Sequence, residues 1–246
     1  MFAGPNGSGK TSLARNLSKE FSPEGLFQLQ HYLNADDLLS QIQSGVGIPL
    51  IMLGQVPTEE EVRAALIHGS RLKPNHPFLS ALRIHQDRLF AAPQTADGYV
   101  GAAIADFLRD VMLVRQMSFS FETVMSHPSK VEFFRRAREQ GYRTYLYFIA
   151  TDSPDLNILR VQNRVALGEH DVPEDKIVDR YDRCLKLVAG AIAFAHRAYL
   201  FDNSGEEPIW LAEWLPDGHA QLKVLPGTLP DWFNTWVVPQ YPEIVT

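Results

Sequence analysis

Apolar positions along the chain recur at two spacings, and the switch between them predicts the elements. Leu13 and Leu17 lie four apart and place a helix over Thr11 to Phe21. Phe27 to Asn34 alternates as a strand, and Asn34-Ala35-Asp36-Asp37 closes it before a short helix through about Gln43. After a less regular stretch, a helix runs from Val100 to about Gln116, followed by the strand-like Ser118-Phe119-Ser120-Phe121. Ser129 to Gln140 reads as a helix stopped by Gly141, a common helix-ending residue. Tyr142 to Ala150 is almost continuously apolar and aromatic, as expected of a strand covered on both faces. Ser153-Pro154 has the form of an N-cap followed by Pro in the first turn, and starts a helix to about Leu167. Pro173 opens another, with Ile177, Tyr181, Leu185, Val188 and Ile192 along one face. Ala198 to Asp202 is a last core strand. Ile209 to Trp214 and His219 to Leu225 flank Leu215-Pro216-Asp217-Gly218 as a hairpin, and Trp232 and Trp236 sit on a final short helix. Strands alternating with helices predict an α/β fold: a mostly parallel sheet with helices on both faces.

The irregular stretch, 45–98, is punctuated by Pro and Gly. It holds two helical patterns, Thr58 to Gly69 and Phe78 to Ala92, on either side of Lys73-Pro74-Asn75-His76-Pro77. The expectation is a helical insertion, a cap over the substrate, within a single domain spanning 1–246. A C-terminal hairpin and helix, 205–246, extend that domain.

The most specific chemistry stands at the start. Gly4-Pro5-Asn6-Gly7-Ser8-Gly9-Lys10-Thr11 reads G-x-x-x-x-G-K-[ST], the P-loop that wraps a nucleotide's phosphates. Its glycines let successive amide N–H groups turn inward on an anion. The helix that follows, beginning around Lys10 to Ser12, aims its positive end at the same charge. Lys10 supplies a point charge for the β- and γ-phosphates, and the Thr11 hydroxyl is placed to ligate Mg²⁺. Only Met1 to Ala3 precede the loop, less strand than a P-loop normally follows, so the expected start of the natural chain lies upstream. The sequence carries no Asn-Lys-x-Asp motif for reading guanine, which favours adenine.

Composition narrows the classes further. The 246 residues are 45% hydrophobic and carry a formal net charge of −6, enough apolar content for a full core and an acidic balance that argues against duplex nucleic acid. Cys184 stands alone, which excludes an intramolecular disulfide and a cysteine-rich zinc site. No apolar run approaches the roughly 18 residues of a membrane span, and no leader pattern opens the chain. The expected setting is cytoplasmic, with no membrane association.

Candidate catalytic carboxylates fall at strand ends, where open α/β sheets bind ligands. Asp36 suits a general base that accepts a proton from an attacking hydroxyl, and it equally suits a helix cap. Glu122 and Thr123 end the next strand, where Glu122 could hold Mg²⁺ through water or fix the substrate; capping is the bland use. Arg160 and Arg164 share one side of a helix, and Arg180 and Arg183 repeat the pattern on the next. Between the two pairs lies Gly168-Glu169-His170-Asp171-Val172-Pro173, a hinge-like connection. Such a pair of helices suits a lid that closes over ATP and neutralises the transferring phosphoryl group, or a plain solvated face. His68, His76 and His85 lack metal-ligand spacing.

Gly4 to Thr11, Asn34-Ala35-Asp36, Phe119 to Ser126, Arg160 to Arg164 with Gly168 to Pro173, Arg180-Tyr181 and Asp202-Asn203-Ser204 occur in that order. Together they resemble the zeta-toxin family of P-loop kinases, and more closely its chromosomal branch of predicted ATPases. The resemblance covers about 1–37 and 100–204. It implies a P-loop NTPase fold of the kinase-like kind that uses ATP and Mg²⁺ to phosphorylate a hydroxyl of a small molecule. In the family that acceptor is UDP-N-acetylglucosamine, or NAD for a related effector. By resemblance Asp36 is the general base, Lys10 and Thr11 contact phosphate and metal, and Glu122 and Thr123 face the substrate. Arg164 matches the first lid arginine, Arg180 is preferred to Arg183 as the second, and Asn203 would lie near the adenine. Gly168-Glu169 replaces the family's usual glycine pair, and the insertion falls where substrate should bind. A second reading is a regulatory nucleotide-binding protein that docks an antitoxin-like partner. A third, a kinase of nucleic-acid ends, runs against the acidic balance.

Overall fold

The computed structural model describes residues 1–20, 31–68, 72–168 and 171–245. In chain order the elements are β1 (Phe2–Ala3), α1 (Lys10–Glu20), β2 (Tyr32–Leu33), α2 (Ala35–Gln43), β3 (Ile48–Pro49), α3 (Glu59–His68) and α4 (Pro77–Ala81). There follow β4 (Arg83–His85), β5 (Arg88–Phe90), α5 (Gly98–Val114), β6 (Ser120–Thr123), α6 (Pro128–Glu139) and β7 (Tyr145–Ala150). The last are α7 (Pro154–Ala166), α8 (Glu174–Ala193), β8 (Arg197–Asp202), β9 (Ile209–Trp214), β10 (Ala220–Leu222) and α9 (Asp231–Trp236). The expected positions Phe21, 27–30, Gly69, Glu169 and His170 lie outside the described residues. The chain forms two compact units, 1–28 with 122–246, and 29–121.

In the first unit the strands run in the order β10-β9-β8-β7-β1-β6. β1 pairs in parallel with β6 (Phe2 opposite Glu122, Ala3 opposite Thr123) and with β7, and β7 pairs in parallel with β8. β9 and β10 turn back antiparallel, giving the hairpin that Leu215 to Gly218 predicts. Sheet register follows from the alternation along β8. Ala198, Leu200 and Asp202 are buried, while Arg197, Tyr199 and Phe201 are half-buried on the opposite face. Tyr147 stacks on Phe2 at 5.0 Å and on Tyr199 at 4.9 Å across that face.

Local chemistry sets the helix ends. The Ser153 side chain accepts from Leu156 N, and Pro154 takes the first turn of α7. Gly141 has φ 86°, and Tyr142 N bonds back to Ala137 O, so α6 ends in a left-handed residue that satisfies its last carbonyls. Along α8 the predicted face of Ile177, Tyr181, Leu185, Val188 and Ile192 is buried. Trp232 of α9 is buried and donates to Asp202 Oδ1.

In the second unit β2 lies parallel to the first half of β6, with Tyr32 opposite Ser120 and Leu33 opposite Phe121. α2 packs against α5, and the carbonyl of Ala35 lies so near Gly101 that a Cβ there would come within 2.6 Å. α3 matches the predicted helix, but the one expected over Phe78 to Ala92 is corrected. Only α4 is helical; the rest forms β4 and β5, an antiparallel pair with β3 on the other side of β5. Gln86 and Asp87 adopt φ 48° and 58°, the left-handed pair of a two-residue hairpin turn. Ile84 and Leu89 face each other across it. No helix among the described residues is long and apolar enough to cross a membrane.

Candidate phosphate site

The loop between β1 and α1 closes on itself. Ser8 N bonds Pro5 O, and Leu13 N bonds Gly9 O to open the helix. The Lys10 ammonium donates to the carbonyls of Gly4 (3.1 Å) and Pro5 (2.8 Å), which holds its charge over the loop. Two glycines are fixed by their surroundings. Gly7 has φ 74°, and a Cβ there would lie 2.7 Å from the carbonyl oxygen of Asn157 on α7. Gly9 has φ 101°, and its Cβ would meet the Asn203 amide at 2.5 Å. A side chain at Gly7 would have to move the α7 backbone and one at Gly9 the Asn203 side chain, and both would strain the backbone at positive φ.

Thr11, one residue into α1, donates from its hydroxyl to Glu122 Oε2 at 3.0 Å. The parallel pairing of β1 with β6 is what brings the two side chains together. Burial pushes the Glu122 carboxyl above its ordinary range, against the opposing pull of Lys10, the Thr11 hydrogen bond, Arg15 and Arg164. Lys10, Thr11 and Glu122 therefore meet at the carboxyl ends of β1 and β6, and the charge of Arg164 reaches Glu122 from α7. Arg15, on the exposed side of α1, joins it unpredicted; its only signal in the sequence is its place one turn after Thr11.

The other expected residues sort differently. Ser12 is exposed on α1. Thr123 accepts from Met125 N at 3.1 Å, so its hydroxyl serves the turn after β6, the capping use that the sequence leaves open. Asn203 donates from its side-chain amide to Ser8 O at 2.8 Å, bracing the loop itself. Arg183 pairs with Asp179 on its own helix, a solvated-face arrangement. Arg180 is half-buried, and no interaction among the described residues ties it to the Glu122 group. Asp36 belongs to the second unit. It is exposed in the first turn of α2, and its N–H donates to Asn34 Oδ1, so Asn34 is the cap and the Asp36 carboxylate is not.

Two buried polar atoms of the loop, Asn6 Oδ1 and Ser8 Oγ, have no hydrogen-bond partner among the described residues. The same holds for Asn157 Nδ2 and Arg160 Nη1 on α7, whose backbone abuts Gly7. An unsatisfied buried polar group costs about 1–3 kcal/mol, and a polar ligand or water at the loop would complete the bonding of Asn6 and Ser8. The oxygen donors Thr11 and Glu122 are of the hard type that suits Mg²⁺, which retains waters and takes few protein ligands.

The G-x-x-x-x-G-K-T turn, closing a parallel strand and opening a helix, defines a P-loop NTPase fold of the kinase-like kind. The zeta toxin family model matches residues 58–211, well over half of the chain, and the chain belongs to that family. An uncharacterized protein of Haemophilus influenzae is 28% identical over 67 residues, 27% of this chain and 48% of that protein. The chain thus spans about half the length of that relative. Two solved structures share the fold. The complex AvrRxo1-ORF1:AvrRxo1-ORF2 with sulphate ions has a TM-score of 0.55 at 13% identity, covering 100% of this chain and 63% of that one. The same pair with ATP has a TM-score of 0.51 at 12% identity over the same shares.

Proposed function

We propose that the chain is an ATP- and Mg²⁺-dependent phosphotransferase that phosphorylates a hydroxyl of a small metabolite, a nucleotide or nucleotide sugar such as UDP-N-acetylglucosamine. The observation that carries the reading is a closed phosphate loop that holds the Lys10 ammonium, with the Thr11 hydroxyl bonded to Glu122 beside it. Family membership supports it, and so does the likeness of fold to a protein solved with ATP.

In this reading the loop amides and Lys10 grip the β- and γ-phosphates. Thr11 and Glu122 would hold Mg²⁺, which would supply positive charge to the phosphate oxygens. Arg164 and Arg180 stabilise the three equatorial oxygens of the transferring group, as planar guanidinium groups grip phosphate in two-point fashion. Asp36 takes the proton of the attacking hydroxyl, with Thr123 and Glu122 on the acceptor side. Because Asn34 already caps α2, the Asp36 carboxylate is not spent on its own helix end. The Asp36→Asn variant tests this mechanism: we expect phosphoryl transfer to fall by about 100-fold or more while ATP affinity changes by less than about twofold. Transfer at the wild-type rate would remove Asp36 from the chemistry.

The solved neighbours are complexes of two open reading frames, which supports a protein partner of the antitoxin kind for this chain as well. Co-purification of the chain with a separately encoded small protein would establish such a partner. Binding of ATP with no acceptor in any metabolite pool would favour the purely regulatory reading.

A further inference from the structure

A buried polar chain joins the end of β7 to both arginine-bearing helices. The Thr151 hydroxyl donates to Asn157 Oδ1 at 2.7 Å, and both side chains are fully buried. The Tyr181 hydroxyl donates to the carbonyl of the same Thr151 at 2.6 Å, and Tyr181 is only 6% exposed. Asn157 is the fourth residue of α7 and Tyr181 the eighth of α8. One residue thus ties both helices to the end of β7, and the backbone of Asn157 bears on Gly7 of the phosphate loop.

A helix fixed in rotation at one residue is fixed at every residue of that stripe. Asn157, Val161 and Arg164 are spaced i, i+4 and i+7, so they lie on one face of α7. Arg164 stands about 10 Å further along the axis than Asn157. An error of rotation at Asn157 would be carried undiminished to the guanidinium. In the mechanism proposed above Arg164 grips the transferring phosphoryl group, so its aim matters there. The two buried hydrogen bonds of Thr151 favour one arrangement, because a rotation of either helix would break a bond that buried groups cannot replace with water. A merely apolar contact at Thr151 would permit neighbouring rotations.

On the phosphotransferase reading above, we infer that Thr151, Asn157 and Tyr181 are positioning residues. They set α7 and α8 against the phosphate loop, so that filling the loop orders the two helices and presents their arginines to the transferring phosphoryl group. None of the three touches substrate; they act through Arg164 and Arg180.

The test compares the full-length wild-type chain with Thr151→Val, Thr151→Ser and Tyr181→Phe. Backbone amide exchange is followed over 4–11 and 154–193 with and without Mg²⁺ and a non-hydrolysable ATP analogue. In the wild type we expect the analogue to protect both the loop and the two helices. In Thr151→Val and Tyr181→Phe the loop should be protected as before, while protection of the helices falls by about tenfold. Thr151→Ser, which restores the hydroxyl, should recover it. Turnover should fall by about tenfold in the same two variants, with ADP affinity within about twofold. Adding Thr151→Val to Arg164→Ala should then cost little more, because both act through one group. Helix protection equal in wild type and Tyr181→Phe, or loss restricted to thermal stability, would overturn the inference. A loop left unprotected in the wild type would instead overturn the nucleotide reading and this inference with it.

Discussion

Glu122 concentrates the electrostatics of the phosphate site in one side chain. Its carboxyl is raised by burial, and Lys10, Thr11, Arg15 and Arg164 only partly offset that effect. Below the raised pKa the group is protonated and neutral. As pH rises through it, the buried carboxylate forms, the folded state loses the corresponding stability, and an oxygen ready for a metal appears. We therefore expect affinity for Mg²⁺-nucleotide to climb with pH through a range above that of ordinary carboxylates. In Glu122→Gln that limb should be flat, and calorimetric titration at several pH values reads the difference. Gly9 makes a steric prediction of the same kind. With φ 101° and the Asn203 amide 2.5 Å from a would-be Cβ, Gly9→Ala should lower stability by about 1–3 kcal/mol and abolish nucleotide binding. Denaturant unfolding and nucleotide binding measured side by side check it. Cys184 offers a probe of the whole fold. Burial pushes its thiol up to about 12, so alkylation at neutral pH should proceed only as fast as the protein opens.

Elements were legible in the sequence where one local device decided them. Ser153-Pro154 opens α7, Gly141 closes α6, and the apolar stripe from Ile177 to Ile192 rides on α8, each for a reason visible within a few residues. Ser153→Ala should accordingly cost about 1 kcal/mol in urea unfolding, the ordinary worth of an N-cap. The apolar residues of Phe78 to Ala92 fit a helical spacing equally well, so the sequence pattern alone predicts a helix there. What decides it is β3, distant in sequence, which pairs with β5. The turn at Gln86-Asp87 lacks the Asn-Gly or Asp-Gly signature that usually announces a two-residue hairpin. The site divides along the same line. The P-loop is contiguous, and its residues declare themselves by spacing. Thr11 meeting Glu122, Asn203 bracing Ser8 and Tyr181 bonding Thr151 each join residues at least 30 positions apart. Chain pattern carries no record of such meetings, and Asn157 and Tyr181 read as a neutral polar residue and a core aromatic until the hydrogen bonds are seen.

For the molecule as a whole, family membership and a loop built to hold phosphate converge on one class of chemistry, while the acceptor follows from neither. The formal net charge of −6 argues against a nucleic-acid partner. The family match spans 58–211 and so takes in α3 and the β4–β5 hairpin together with α7 and α8. The most direct measurement of the central claim is incubation of the purified chain with Mg²⁺-ATP and a metabolite extract, followed by mass spectrometry of the products. We expect a metabolite heavier by one phosphoryl group, formed in step with ADP and missing when Lys10→Ala replaces the wild type. Tight binding of ATP with no phosphorylated metabolite, in wild type and variant alike, would contradict the assignment.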